Sequence, residues 1–309
     1  MQPPLCLLAV HAHPDDESSK GPATVARYAA EGVLTVLVCC TGGEEGDILN
    51  PAMDQPEVRE RLHEVRMGEL RRATAVIGYR EVVLLGYRDS GMEGSPANAH
   101  PDCFAQAGLD GAVERLVRVI RRERPQVVIT YGDDQRGYRH PDHLRVHDIS
   151  IPAFERSGAP GAYPGAGAPW QPSKLYYTAW SKARMVAHHE KFLELGLESP
   201  YDPAWLGRPG QDDAITTRID VSDFADVRRA ALLAHASQID PTSRFWFGLP
   251  PDIARSVHPF EEYVLARSLV GTDLPEDDLF AGLRAPVSGG PGDGRIGSGH
   301  GYVAHPGMA

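Results

Sequence analysis

The first half of the chain alternates between two kinds of apolar pattern. Leu5–Val10, Val33–Cys40, Val82–Leu85 and Val127–Tyr131 are short unbroken apolar runs, and each reads as a buried strand. Between them, apolar positions recur every three or four residues, which is the spacing of a helix with one buried face. Ala23–Glu31, residues 57–77, Leu109–Arg122 and His143–Phe154 are therefore expected to be helices. Over 57–77 the stripe runs through Val58, Leu62, Val65, Leu70, Ala73 and Val76, and over the third helix through Val113, Leu116, Val117 and Ile120. Strands without in-and-out alternation, separated by helices, imply a parallel sheet covered on both sides.

The expected class is thus α/β: a Rossmann-like, mostly parallel sheet with helices on both faces, followed by a smaller and less regular C-terminal portion. In that portion Lys174–Ala179 reads as a strand, Ala225–His235 as a helix, and Ile215–Val221 as an exposed strand with Thr216, Arg218 and Asp220 on one face. Three long connections, 41–56, 86–108 and 157–171, interrupt the pattern. Loops of that length in a compact domain are commonly functional. The chain divides accordingly into a catalytic part (1–156), a Gly/Pro/Ala-rich linker-like loop (157–171), a portion completing the substrate site (172–285) and a Gly-rich tail expected to be disordered (286–309).

The 309 residues include 42% hydrophobic ones, enough for a full core, and carry a formal charge of −11. That charge argues against nucleic acid, whose binding depends on cations neutralising phosphates, and against an anionic membrane surface. Cys6, Cys39, Cys40 and Cys103 form no CxxC pair, so a thiolate metal site is not expected. Free thiols, the absence of a secretory leader pattern and the absence of a long apolar segment point to a soluble cytoplasmic protein, with oligomerisation left open.

The chemistry is concentrated at two strand ends. His11-Ala12-His13-Pro14-Asp15-Asp16-Glu17 follows the first apolar run, and His140-Pro141-Asp142-His143 follows the fourth. In a parallel sheet both fall beyond the carboxyl edge, where ligands bind. A catalytic zinc takes three His or carboxylate ligands and keeps one position for water, whose pKa falls to about 7. His13 and Asp16 at a strand-to-helix turn, with His143 from the second cluster, can supply that set. Asp15 is then free to act as general base. His140 would face the substrate as a protonated imidazole, stabilising an oxyanion or protonating the leaving amine, and Tyr138 could donate to the same oxygen. Asp142 could orient an imidazole through its second nitrogen. Glu17, His11 and His147 read as supporting positions. The bland alternatives are a helix cap at Asp15 or Asp16 and a polar loop around His140, and neither accounts for both clusters at once.

These motifs resemble the PIG-L/LmbE-like zinc-dependent N-deacetylases and amidases, from about residue 5 to residue 283. The resemblance is closest to the mycothiol branch. Glu17-Ser18-Ser19-Lys20-Gly21, Ile48–Asp54, Ser173–Tyr177 and Ala234–Pro241 look like its amidase side. It implies one Zn2+ per chain on His13, Asp16 and His143, with Fe2+ compatible with the same ligands. It also implies that Lys20, Arg66 and Asp89 hold a glucosaminyl-inositol substrate. Read alone, Lys20 is a surface lysine, Arg66 a helix residue or ion-pair partner and Asp89 a turn residue. His235 is as readily a core histidine as a functional one. The implied reaction is hydrolysis of the amide between glucosamine and N-acetylcysteine in mycothiol S-conjugates, a small-molecule thiol conjugate of a pseudo-disaccharide. The products are a mercapturic acid and glucosaminyl-inositol. Alternatives are an amidase trimming the mycothiol adduct of a natural product, and a GlcNAc-inositol deacetylase. The loop 131–139, with Arg136 and Arg139, departs from the amidase pattern beside the substrate.

Overall fold

The computed structural model describes residues 4–133 and 138–284. Arg136 and the tail 286–309 therefore lie outside the described residues. The elements in chain order begin with β1 (Cys6–His11), α1 (Asp16–Ser19), α2 (Pro22–Ala30), β2 (Leu34–Thr41), α3 (Pro56–Glu60), α4 (Leu62–Ile77) and β3 (Glu81–Tyr87). They continue with α5 (Leu109–Glu123), β4 (Val127–Thr130), α6 (Pro141–Arg156), β5 (Lys174–Ala179), α7 (Lys182–Glu194) and α8 (Pro203–Leu206). β6 (Thr217–Asp220), α9 (Ala225–Ala234), α10 (Arg244–Phe247), α11 (Pro251–Val257) and β7 (Phe260–Ser268) complete the chain.

All seven strands form one sheet in the order β3-β2-β1-β4-β5-β7-β6. The first five are parallel, and β7 joins β5 and β6 antiparallel. The α/β expectation holds. Residues 172–284 extend the same sheet, with β6 alternating buried Thr217 and Ile219 against exposed Arg218 and Asp220.

The unbroken apolar runs have a direct cause. Cys6, Leu8 and Val10 of β1 enter a core with α5 and α6, whereas Leu7 and Ala9 enter a second core with α2, α4 and α9. A strand apolar on both faces is what coverage by helices on both sides demands. β3 is the edge, and there Leu84 is left 50% exposed.

Residues 57–77 are not one helix. The chain breaks at Arg61 (φ −120°, ψ 26°) between α3 and α4. The break re-phases the second helix. Leu62, Leu70 and Ala73 are buried as expected, but Ile77 is buried in place of Val76, which is 43% exposed, while Arg66 and Glu69 turn inward. A stripe drawn through Val58, Val65 and Val76 selects the wrong side because two polar residues of the inward face have tertiary partners. α7 and β7 were not expected from the pattern at all. β7 buries Glu261 and Glu262 beside Tyr263, which removes any clean alternation of apolar positions.

The connection 157–171 packs back on α5. The Arg121 guanidinium donates to the carbonyls of Ser157 (2.9 Å), Tyr163 (2.8 Å), Ala159 (3.0 Å) and Ala162 (2.8 Å). On the other side of the sheet, Glu276 ties β5 to β6. It accepts from the fully buried Lys174 ammonium, from the Tyr176 hydroxyl at 2.6 Å and from the Thr217 hydroxyl at 3.0 Å. Removing one member of a buried ion pair leaves its partner uncompensated and costs about 3–5 kcal/mol. Lys174→Met is expected to lower stability by that amount in denaturant unfolding, with the unfolding slope unchanged.

Candidate metal centre

The strand order reverses between β1 and β4, and the crevice beyond their carboxyl ends is where a doubly wound sheet receives ligands. His13 lies two residues beyond β1, and His140 to His143 follow β4 at the start of α6. The two clusters, far apart in the chain, meet there. Rings of His13 and His140 are 4.4 Å apart, His13 and His143 5.3 Å, and His140 and His143 5.4 Å, between centroids.

His13, Asp16 and His143 present one ligand atom each within 4.8 Å of one another, all buried. Asp16 Oδ2 lies 3.4 Å from His13 Nδ1 and 3.4 Å from His143 Nε2. His13, Asp89, His140 and Asp142 form a second group of metal-ligand type. Its carboxylates are already engaged: Asp142 Oδ2 accepts from the Ser90 N–H at 2.9 Å and Asp89 Oδ1 from the Gly91 N–H at 2.8 Å. We therefore assign that group to holding His13. Asp142 Oδ2 sits 3.1 Å from His13 Nε2 and Asp89 Oδ1 3.6 Å from it, which leaves Nδ1 turned toward Asp16. A carboxylate behind a ligating imidazole sets its tautomer and orientation.

The donors fit a divalent cation. Three buried carboxylates surround His13, and the nearby cation is Lys20, whose Nζ pairs with Asp16 Oδ1. Burial alone would raise the Asp16 carboxyl, but Lys20, His143 and His13 hold it well below the usual range. Burial opposes charge on His13, yet Asp142, Asp16 and Asp89 raise its pKa well above the ordinary value. A site that draws protons onto an imidazole this strongly is one that a metal ion would satisfy. Asp142→Asn is expected to weaken metal affinity by about 10–100-fold, with activity restored at excess metal. Titration with a competing chelator measures it.

Asp15 occupies the left-handed region at φ 111°, which a side chain rarely adopts and which costs about 1–3 kcal/mol. Three contacts hold it there. Arg66 Nη2 donates to Asp15 Oδ2 at 2.8 Å and to the Pro14 carbonyl at 2.5 Å, and Glu17 Oε2 accepts from the Asp15 N–H at 2.9 Å. Burial pushes the Asp15 carboxyl above its ordinary pKa, with Arg66 opposing. Glu17 is itself fixed by His235 Nε2 at 2.6 Å, so His235 supports the turn from α9's end. Asp15, expected to be unpaired, is ion-paired with Arg66. Arg66 is 3% exposed, and its third bond runs to the Gly43 carbonyl at 2.6 Å. The bonds of Arg66 and Asp89 thus run to protein groups of the turn after β1 and the loop after β3.

His140 caps α6, its Nδ1 accepting from the Asp142 N–H at 3.2 Å. An accepting Nδ1 carries no proton. That bond fits a neutral ring with its hydrogen on Nε2. Burial, then the neighbouring His13, pushes its pKa down to about 4. Tyr138 is 55% exposed, with its ring 5.3 Å from that of His143. Two contributors escaped the sequence analysis. Ser90 holds Asp142 through both its N–H and its hydroxyl. Tyr131, buried at the end of β4, accepts from the Ala12 N–H at 3.1 Å and lies 3.0 Å from His11 Nδ1. His147 Nδ1 meets the Tyr131 carbonyl at 3.0 Å. An aromatic hydroxyl closing an apolar run was the one available signal for Tyr131.

Two imidazoles and a carboxylate around one ion leave a coordination position for water, with a carboxylate and a neutral imidazole at hand: the arrangement of a metal-dependent hydrolase. The chain belongs to the PIG-L family, whose model, described as GlcNAc-PI de-N-acetylase, matches residues 8–154. It is 48% identical to the mycothiol S-conjugate amidase of Streptomyces coelicolor over 290 residues, 91% of this chain and 98% of that one. It is 42% identical to the 1D-myo-inositol 2-acetamido-2-deoxy-alpha-D-glucopyranoside deacetylase of Thermobifida fusca over 291 residues, 89% and 98% of the two chains. N,N'-diacetylchitobiose deacetylase from Pyrococcus horikoshii shares the fold, with a TM-score of 0.57 at 17% identity over 84% of this chain and 83% of that one. The chain is accordingly a hydrolase of the amidase and deacetylase type.

Proposed function

We propose that the protein hydrolyses the amide between glucosamine and N-acetylcysteine in mycothiol S-conjugates, releasing a mercapturic acid and glucosaminyl-inositol. The observation that carries this reading is the end-to-end likeness to the Streptomyces coelicolor amidase, at higher identity than to the Thermobifida fusca deacetylase. The His13, Asp16 and His143 set suits zinc, with Fe2+ as the other candidate. Bound there, the ion would supply a Lewis acid and an acidified water.

The chain's own residues do the rest. Asp15 takes the proton of the attacking water and returns it to the glucosamine nitrogen as the C–N bond breaks, and Arg66 and Glu17 keep its carboxylate and backbone in place. The His140 Nε2–H donates to the carbonyl oxygen as charge develops on it, assisted by the Tyr138 hydroxyl. Asp142, with Ser90 behind it, keeps His13 aligned. Lys20 neutralises the outer oxygen of Asp16 and stands where the substrate enters. The buried free cysteines suit a reducing cytoplasm, and no described helix is long and apolar enough to cross a membrane.

The test compares kcat/KM of the metal-loaded protein on a bimane conjugate of mycothiol and on GlcNAc-inositol. The conjugate is expected to be preferred. Preference for GlcNAc-inositol would make the protein a deacetylase. Turnover confined to a bulky antibiotic conjugate would place it in natural-product biosynthesis.

A further inference from the structure

Beyond Lys20, on the β5 side of the same rim, the structure holds a half-open cavity of about 140 Å³. Trp180, which directly follows β5, forms part of its wall together with Phe245 and Trp246 from α10. Trp180 stacks on Phe245 with centroids 6.0 Å apart and meets Trp246 edge-on at 6.1 Å. A cavity of about 150 Å³ with apolar walls accommodates a benzene ring. The space therefore matches one aromatic group.

The charge around it is unusual for a protein of formal charge −11. Arg184 of α7 and Arg228 of α9 both line the cavity, their guanidinium carbons 5.0 and 5.3 Å from the Trp180 ring centre. Neither has an ion-pair partner among the described residues. The acid facing them, Glu261, is committed to the N-terminus of α2, accepting from the Ala23 N–H at 3.3 Å and the Thr24 N–H at 2.7 Å. Burial lowers the pKa of Arg184, and burial together with Arg184 pulls Arg228 down to about 9. Both guanidinium groups are half-buried, and the second acid beside them, Glu262, is bound to the Ser181 N–H and to Arg218, so an anion between the two arginines would lower the cost of their burial. Arg244 and Arg255, also in the wall, are already paired, with Glu198 and with Asp226 and Asp252. Arg229, the fifth arginine of the wall, lies over Phe247 at 4.6 Å, so the arginines without an ion pair among the described residues are Arg184, Arg228 and Arg229, and the first two face Trp180.

The cavity adjoins the segment that carries the metal-ligand candidates. Ser19, Lys20 and Gly21 line a smaller void together with Trp180, Arg184 and Arg228. Arg228 Nη2 donates to the Ser19 carbonyl at 3.4 Å. Lys20, on the near side, holds the metal-ligand candidate Asp16.

We propose that the cavity receives the sulfur-linked substituent of the conjugate and selects substituents that combine an aromatic ring with a carboxylate. The inference rests on the amidase reading above. The ring lies among Trp180, Phe245 and Trp246, and the carboxylate lies between Arg184 and Arg228.

Binding tests the subsite without catalysis. The full metal-loaded chain is titrated, by tryptophan fluorescence, with N-acetyl-S-(4-carboxybenzyl)cysteinamide and with its uncharged S-benzyl counterpart. The carboxylated probe is expected to bind about tenfold tighter or more, the strength of hydrogen bonds to a charged group. Arg228→Met and Arg184→Met are expected to reduce that preference below about threefold, and Arg228→Lys to retain part of it. Circular dichroism confirms that each variant is folded. Equal affinity of the two probes for the parent protein, or an undiminished preference in both methionine variants, would overturn the proposal. Discrimination between probes without hydrolysis of any mycothiol conjugate would leave the subsite standing and remove the amidase reading. Hydrolysis of S-benzyl and S-(4-carboxybenzyl) mycothiol at equal kcat/KM, with equal probe affinity, would do the reverse.

Discussion

Alanine at His143 is expected to release the metal and to lower kcat/KM by well over about 10³-fold, because the acidity of the attacking water depends on the ion, which moves its pKa from about 15.7 to about 7. His143 is buried with Asp16 as its partner, so the ring is part of the set and not a bystander on α6. Metal content measured on the same sample decides the interpretation. Parent protein treated with a chelator should reach the same residual activity, and added zinc should restore the parent but not the variant. A His143→Ala protein that keeps full metal and full activity would remove the assignment of His13, Asp16 and His143. Which metal restores the higher rate, zinc or iron(II), is read in the same experiment.

The second large effect belongs to Asp15. Asp15→Asn keeps the size of the side chain and an acceptor for Arg66 but cannot take a proton. A positioned general base contributes about 10²–10⁴-fold, so kcat is expected to fall by that factor with KM and metal content near those of the parent. Glycine at the same position gives a sharper discrimination. At φ 111° a side chain is strained, and glycine is free of that strain. Asp15→Gly loses the Arg66 pair as well but is free of the strain, so it is expected to be at least as stable as Asp15→Asn by thermal unfolding while losing activity as severely. A purely structural Asp15 predicts the opposite pair of outcomes: lower stability with kcat preserved.

Much of this architecture was legible in the chain. β1, β2 and β4 announce themselves because nearly every residue in them is apolar, and they are apolar because α2, α4 and α9 cover one face and α5 and α6 the other. The candidate ligands were legible because His13 and Asp16 are local to one turn and His143 follows an equally clear strand. The illegible parts are those in which polar residues are buried by partners from elsewhere. The inward face of α4 carries Arg66 and Glu69, whose partners come from the turn after β1 and from Ser237. β7 carries Glu261 and Glu262, bound to the start of α2 and to the Ser181 N–H and Arg218. Periodicity reads such residues as solvent-facing, since a single chain does not reveal which distant group will satisfy a buried charge.

By itself, then, the sequence determined the α/β class, the parallel order of its first half and the identity of the His and Asp residues at two strand ends. These follow from local spacing, which covalent geometry carries into the fold. Only the tertiary structure decided what each group does there. It turned His13 by placing Asp142 and Ser90 behind its Nε2, and held Asp15 in a strained turn on Arg66. It made His140 a donor through Nε2 by aiming a backbone N–H at its other nitrogen. It also assembled Trp180, Arg184, Arg228 and Phe245 around one cavity. The reason is common to all four: tautomer, strain and the cost of an enclosed charge depend on atoms brought together across the fold, and sequence spacing does not encode those contacts.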